Sequence, residues 1–340
     1  MGIPVPEELR PTGSALSAPP RRPGSVRRTS TMEFGWPDGL GGDTVLDGRA
    51  RDLLTLNDGS ARGVAEARLA MVSDARRVIR SITSTPHLPL LQGLLGASAM
   101  SGFRGRLAEA RATDSASPLH LLLDDVPGAT LVSGSAFQRW YEPERYRDLK
   151  ADVARRVMTD VCTGYQSGSS ALHPDGTLIW RQNRVPAADI KAVNDDLAWH
   201  TYADPTGVSM RRARRIDVWI DGPTIRVDAF FQDSSTLPDG GRQAIHEYGL
   251  TARADLRSQT LRHLTPVAHV LPYDECPLAV RNVSALIGLP LGGLRRDVLK
   301  RLPGPLGCTH LNDMLRSLAD APALAALVRS DPPGPRPPAA

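Results

Sequence analysis

The 340-residue sequence has little of what marks several large classes of protein. Its three cysteines are an odd, low number, which fits a reducing cytosol better than a disulfide framework. No run approaches 18 apolar residues, the length expected of a membrane-spanning helix. Residues 1–26 lack the apolar segment of a signal peptide. We therefore predict a cytoplasmic protein.

Signature motifs for nucleotide binding and catalysis are missing as well. There is no phosphate loop, no Gly-x-Ser-x-Gly elbow, no dinucleotide fingerprint and no Cys-x-x-Cys pair. The formal net charge is only +4, too small an excess to indicate a nucleic-acid-binding protein. The pairs Arg27-Arg28 and Arg214-Arg215 are interpreted as solvated strand edges rather than phosphate-binding groups. We expect neither nucleic acid nor a membrane as a partner.

What the sequence does contain is a weak repeat of itself, at a spacing of roughly 180 to 190 residues. The segment Arg27–Phe34 matches Arg211–Val218, and each leads into an Asp-Gly turn typical of a hairpin. Because the later matches keep the same order, we predict a domain duplication. Those matches are Leu46–Asp52 with Val227–Asp233, Val64–Asp74 with Ile245–Asp255, Thr85-Pro86 with Thr265-Pro266, Leu94–Gly96 with Leu286–Gly288, Gly102–Arg104 with Gly293–Arg295, and Ser117–Leu119 with Cys308–His310.

Each copy places strand-like segments before helical ones. In the second copy the predicted strands are Ile216–Ile220, Thr224–Phe231, Ala244–Ala254 and Thr260–Val270, and the predicted helices are Cys276–Ile287, Leu294–Leu302 and Thr309–Leu318. Strands followed by helices indicate an α+β fold. We predict two diverged copies of a unit in which an antiparallel sheet precedes helices.

The domain boundaries follow from this repeat and from composition. We expect a disordered tail at residues 1–26 and a first, degenerate copy at 27–140. A helix over Tyr141–Gly164 and a polar connector fill 141–209. The second copy, at 210–325, carries the candidate site, and residues 326–340 form another disordered tail.

The second copy carries four residues that favour a metal site: His246, Cys276, Cys308 and His310. Pro277 predicts that Cys276 lies at a helix N-cap, and Cys308 stands at another predicted helix start. A thiol there faces free backbone N–H groups, which favour the thiolate that binds metals or attacks electrophiles. Cysteine and histidine ligands suit zinc or iron.

The first copy lacks all four of these residues. It has Ala65 in place of His246, Ser117 in place of Cys308, Leu119 in place of His310, and no counterpart to Cys276. Packing residues drift one at a time, whereas a binding site is lost as a set. This comparison favours a site over the alternative that the four residues are ordinary core cysteines and satisfied histidines.

Other candidates are weaker. Cys162 lies among apolar residues and is interpreted as a core residue. Asp228 and Asp233 have counterparts in the copy without a site, so we expect them to lie in turns or to pair with arginine. Of the remaining histidines, His269 is the one expected nearest the site.

The motifs Pro272-Tyr273-x-x-Cys276-Pro277, Gly307-Cys308-Thr309-His310-Leu311-Asn312-Asp313 and His246-Glu247-Tyr248 resemble the bacterial domain of unknown function 2889 family, its actinobacterial members in particular. This resemblance covers most of the chain from Arg27 to Asp320. The family name implies no activity.

A more distant likeness links the second copy to the iron–sulfur cluster scaffold proteins. In that comparison Cys276 and Cys308 fall where two cluster ligands lie, and His246 falls near the third. A histidine replaces a cysteine and the usual Cys-Gly-Asp loop is absent. The likeness therefore implies a zinc or mononuclear iron site rather than cluster assembly.

Three functional hypotheses remain open at this point. The first is a metal-dependent protein, with the possibility that it is an enzyme, in which His246, Cys276, Cys308 and His310 hold zinc or iron. The second is a metal-free enzyme with Cys276 or Cys308 as nucleophile and a histidine as base. The third is a non-catalytic binding or assembly module.

Overall fold

The computed structural model describes residues 3–15, 17–109, 116–141, 158–173 and 183–330. Within them, one antiparallel sheet has eight strands in the order β4-β3-β2-β1-β5-β6-β7-β8. Two four-stranded meanders thus join edge to edge. The strands are β1 Ser25–Gly35, β2 Thr44–Thr55, β3 Ala61–Ser73, β4 Ile79–Thr85, β5 Ser209–Asp221, β6 Thr224–Thr236, β7 Arg242–Asp255 and β8 Leu261–Val270.

Helices follow the strands in each half, which confirms the predicted α+β class. The α-helices are α1 Phe103–Glu109 and α2 Pro118–Ser133 in the first half, and α3 Leu294–Arg301, α4 Thr309–Ser317 and α5 Ala321–Arg329 in the second. The 3₁₀ helices are Glu7–Leu9, Pro89–Leu94, Gly134–Arg139, Thr163–Tyr165, Ser170–Leu172, Cys276–Leu286, Leu291–Gly293, Gly304–Leu306 and Leu318–Asp320. The segment predicted as a helix from Cys276 is thus a 3₁₀ helix. Most of the helix predicted over Tyr141–Gly164 lies outside the described residues.

The two halves of the sheet meet at β1 and β5, which pair from Ser25↔Trp219 to Gly35↔Ser209. Ion pairs across this seam are reciprocal. Arg27 of β1 pairs with Asp217 of β5 at 2.6 Å, and Arg211 of β5 pairs with Glu33 of β1 at 2.7 Å. Two related units joined at their first strands would give this arrangement. The duplication itself stays a prediction.

The arginine pairs are buried on the two central strands of the sheet, so their interpretation as solvated strand edges was wrong. Arg27, Arg28, Arg214 and Arg215 are all at most 5% exposed. They stand on the two central strands, and each guanidinium meets a carboxylate, which compensates the loss of hydration. The partner of Arg28 is 24 residues away and that of Arg27 is 190 residues away. These carboxylate partners are too far away in the sequence to be identified from local patterns.

The helix side of the sheet holds a connected network of six arginines and six aspartates. Arg28 bridges Asp52 and Asp320, and Arg212 bridges Asp233 and Asp313. The formal charges of the twelve groups cancel, so the network is neutral where water is largely excluded. Its members are Arg28, Arg104, Arg212, Arg214, Arg295, Arg316, Asp52, Asp124, Asp125, Asp233, Asp313 and Asp320.

The opposite side of the sheet is covered partly by the connector. Trp199 and Ile190 pack against Ala213 of β5 in a small second core. Next to them, both ring nitrogens of the buried His200 lie 2.8 Å from hydroxyls of β1, those of Thr29 and Thr31. The connector is thereby fixed to the centre of the sheet.

The N-terminal segment, expected to be a disordered tail, lies along β8 instead. Its backbone N–H groups at Thr12 and Gly13 donate to the carbonyls of Ala268 and His269, at 3.1 and 3.0 Å. These bonds satisfy part of the otherwise open edge of the sheet. No helix among the described residues is long and apolar enough to cross a membrane.

Candidate metal centre

Three buried side chains converge between the sheet and the start of α4. Asp233 of β6 stands opposite His246 of β7 in the strand register, at a β-bulge. His310 is the second residue of α4. The His246 Nδ1 atom lies 3.4 Å from Asp233 Oδ2, and the His310 Nε2 atom lies 3.6 Å from the same oxygen. One potential ligand atom from each residue lies within 4.8 Å of the other two.

The two imidazoles are stacked, with ring centroids 3.5 Å apart and planes inclined by 16°. Both are at most 8% exposed. Burial lowers the pKa of His246, and burial with the neighbouring His246 lowers the pKa of His310 further below its usual value. Both rings are therefore neutral near pH 7, the form in which histidine binds a metal.

Two nitrogens of this pair have no hydrogen-bond partner in the part of the chain that the structure describes. They are His246 Nδ1 and His310 Nε2, the atoms that face Asp233. Buried polar atoms are rarely left without a partner, and a bound ion is one kind of partner that such atoms can have.

Asp233 is held in place from its other side by Arg212. The guanidinium donates to both carboxylate oxygens, at 2.9 and 3.0 Å, and reaches Asp313 of α4 at 3.0 Å. Although burial alone would raise it, the pKa of Asp233 lies below its usual range because Arg212 and His246 favour the carboxylate. Asp233 is thus an ionised, oriented oxygen donor.

Cys308 lies next to this group but on the far side of the His310 ring. Its Sγ atom is 4.0 Å from Nδ1, the nitrogen that faces away from Asp233. Cys308 is the N-cap residue of α4, which confirms the predicted helix start. Burial nevertheless raises its pKa, because loss of hydration outweighs the N–H groups of the helix end.

Cys276 lies in the same region but farther from the histidines. It is the first residue of its 3₁₀ helix rather than the predicted N-cap, which is Glu275. Burial, with Cys308 and Cys162 nearby, raises its pKa well above the usual value. Of the four predicted residues, the two histidines thus converge with Asp233, Cys308 lies 4.0 Å from His310, and Cys276 lies near Cys308. That all four share one ion stays a prediction.

Two members of this region were not chosen from the sequence. Asp233 pairs with arginine as expected, but it also faces both histidines. It stands opposite His246 in the strand register, and the corresponding pair in the first half is Asp52 opposite Ala65. The pairing of Ala65 with His246 in the repeat was the signal that could have found it. Cys162 was assigned to the core, and it is indeed buried, but it lies beside Cys276 and Cys308. His269, expected near the site, instead bonds Thr12 at 2.8 Å.

Comparison with known proteins gives a family and no activity. A family model described as "Protein of unknown function (DUF2889)" matches residues 210–324, the segment that holds Asp233, His246, Cys276, Cys308 and His310. This match supports the DUF2889 family for that segment, about a third of the chain. No curated protein matches the chain. The actinobacterial type and the likeness to iron–sulfur scaffold proteins stay predictions.

Proposed function

We propose that this protein is a metal-binding protein in which Asp233, His246 and His310 hold a zinc or iron ion. The observation that carries the proposal is the pair of buried imidazole nitrogens that both face one carboxylate oxygen without a well-formed hydrogen bond. Their separations of 3.4 and 3.6 Å exceed the 2.7 to about 3.2 Å of a good N–H···O bond, so the His246–Asp233 contact that favours the carboxylate is a weak one.

The spacing of the donor atoms supports this proposal. Nitrogen and oxygen ligands lie about 2.0 to 2.2 Å from zinc, so two of them at a tetrahedral angle are roughly 3.3 to 3.6 Å apart. The two nitrogen–oxygen separations have this length.

Hydrogen bonding also orients the donors. The neutral imidazoles and the ionised Asp233 carboxylate offer lone pairs to a cation. The charge of Asp233 is balanced by Arg212, which also meets Asp313 at 3.0 Å. Ligating carboxylates are commonly oriented by such a hydrogen-bonded neighbour.

Two histidines and one carboxylate form a set that leaves coordination positions open. Such sets are typical of catalytic zinc and non-haem iron sites, whereas structural zinc sites are closed by four protein ligands. A metal bound here would act as a Lewis acid toward a bound water or a small substrate. We therefore propose metal-dependent catalysis as the use of the site.

The metal-free nucleophile hypothesis is disfavoured by the thiols themselves. The pKa values of Cys276 and Cys308 are raised by burial, and a neutral thiol is a poor nucleophile. The nearest histidine nitrogen to Cys308 is 4.0 Å away, too far to take its proton directly.

Metal analysis of anaerobically purified protein tests the proposal. We expect about one equivalent of zinc or iron in the wild type, and a loss of at least about 100-fold in affinity in His246→Ala and Asp233→Asn. The controls are His200→Ala, a buried histidine on the other face, and Asp52→Asn, which breaks the similar buried Arg28 pair.

Both controls should retain the metal even if they lower stability. A wild-type content below about a tenth of an equivalent, with no uptake on adding zinc or iron(II), would overturn the proposal. Equal metal loss in Asp52→Asn and Asp233→Asn would also contradict it, because general destabilisation would then explain the result.

A further inference from the structure

The three cysteines come from distant parts of the chain, yet they meet in one buried region. Cys162 precedes the 3₁₀ helix Thr163–Tyr165, Cys276 opens another 3₁₀ helix, and Cys308 is the N-cap of α4. All three are free thiols and at most 9% exposed. Each therefore stands at a helix start, where backbone N–H groups lack intrahelical partners.

Hydrogen bonds join the Cys162 segment to the Cys308 segment. Both the backbone N–H and the side-chain hydroxyl of Thr163 donate to the carbonyl of Gly307, at 2.8 and 2.9 Å. The N–H of Thr309 also faces the Cys162 sulfur. Cys162 and Cys308 consequently share the N-terminal end of α4.

Close packing joins Cys162 to Cys276. A side chain at Gly164 would place its Cβ atom 2.5 Å from Cys276 Sγ, so the sulfur lies directly against this glycine. The N–H of Gly164 faces the Cys162 sulfur from the same residue. On the far side, the hydroxyls of Tyr165 and Tyr273 are 3.1 Å apart, which fixes the turn beside Cys276.

A buried phenol faces the thiols as well. The Tyr248 hydroxyl of β7 is fully buried and contacts the Cys308 sulfur, with Cys276 nearby. Backbone N–H groups of His310 and Leu311 face the Cys308 sulfur. These polar groups favour thiolate, but burial outweighs them and raises the pKa of all three thiols, so a bound cation would have to displace their protons.

We propose that Cys162, Cys276 and Cys308 form a second site, distinct from the Asp233, His246 and His310 group, for a thiophilic d¹⁰ cation such as copper(I). Three thiolates suit such a cation. Among the described residues, only the aspartate–histidine group has three donors all within 4.8 Å. Binding one cation to all three thiols therefore requires the sulfur atoms to move closer together than they are in this structure. Each thiol that becomes a ligand loses one proton, so one ion bound by three thiols releases three protons.

Titration of the full-length protein with cadmium(II) tests the proposal, because cadmium–thiolate bonds give charge-transfer absorption that nitrogen and oxygen ligands do not. We expect a saturable band at one ion per chain and release of about three protons per ion. Cys162→Ser and Cys162→Ala should each lose most of the band and weaken binding by at least about 100-fold. Circular dichroism and thermal unfolding check that at least one of these variants folds.

The His246→Ala variant separates the two proposals. This substitution removes a ligand of the Asp233, His246 and His310 group but no thiol. The cadmium–thiolate band should therefore persist, while the zinc or iron bound by that group is lost. If folded Cys162 variants keep the band at wild-type intensity, or the wild type shows none, the thiol site is wrong. The proposal for the aspartate–histidine group would be untouched by either result.

Discussion

At the scale of single residues, the approach of α2 to the sheet depends on Gly128. A Cβ atom there would overlap the Asp313 carboxylate and come within 2.8 Å of the Arg212 guanidinium. Arg212 holds Asp233 in place, and Asp313 is a second carboxylate that the same guanidinium binds. The glycine is thus required by a charged contact rather than by its backbone conformation.

We expect Gly128→Ala to lower the free energy of unfolding by about 1 to 3 kcal/mol through overpacking. Gly105→Ala in α1 is the matched control, because nothing lies within 4 Å of its Cβ position. There the change should raise stability by up to about 1 kcal/mol, since alanine favours the helix. Urea unfolding of both variants measures the effect. Similar values for the two would contradict this role of Gly128.

His200 makes stability depend on pH. Burial, together with Arg51, Arg49 and Arg211, lowers its pKa to about 3 from 6.5. A lowered histidine pKa means that the unfolded chain binds the proton first as the pH falls. The contribution of neutral His200 is therefore complete above about pH 6.5 and is lost progressively below it.

As the pH is lowered from 6.5 to about 4, protonation of His200 in the unfolded chain should reduce the free energy of unfolding by about 1.4 kcal/mol for each pH unit. His200→Gln removes the titration while keeping polar contact with Thr29 and Thr31. Denaturant unfolding at several pH values should give a flatter curve for the variant than for the wild type. Parallel curves would show that His200 does not carry this dependence.

At the scale of elements, the order of strands and helices followed from the sequence because periodicity and turn residues are local. The strands predicted in the second copy lie within β5 to β8, apart from one residue at Thr260. The α-helix predicted at Leu294 and the one predicted at Thr309 both end one residue early. Local patterns thus sufficed for the elements that surround the site.

What the local patterns missed were contacts between elements distant in sequence. The burial of the arginines depends on carboxylates from other strands and helices, as Arg214 with Asp125 of α2 illustrates. The convergence of Cys162 with Cys308 depends on hydrogen bonds over 144 residues. The position of Asp233 beside the histidines depends on the register between β6 and β7. That register is determined by how the strands pack and not by the local sequence pattern.

At the scale of the whole molecule, the two halves share one core. A single cluster of buried apolar side chains runs from Val26 of β1 through Leu69 and Leu250 to the C-terminal helices. Buried ion pairs also cross between halves, as between Arg28 and Asp320. The proposed copies should therefore unfold together, in one transition.

Leu69 of β3 and Leu250 of β7 form a matched pair for testing this, because both are at most 3% exposed. Leu69→Ala and Leu250→Ala should each lower stability by about 2 to 5 kcal/mol. Both should shift the same single unfolding transition, followed by circular dichroism and tryptophan fluorescence. Two transitions, each moved by only one variant, would show independent domains.

The first half of the sheet offers protein design the carboxylate part of a template. Arg28 already orients the Asp52 carboxylate there, as Arg212 orients Asp233, and a β-bulge follows Asp52 as one follows Asp233. The position opposite Asp52 is Ala65, which is only partly buried. An imidazole introduced at Ala65 would stand beside a prearranged carboxylate in a more accessible place than His246, so a second aspartate–histidine pair could be built without changing Asp233, His246 or His310.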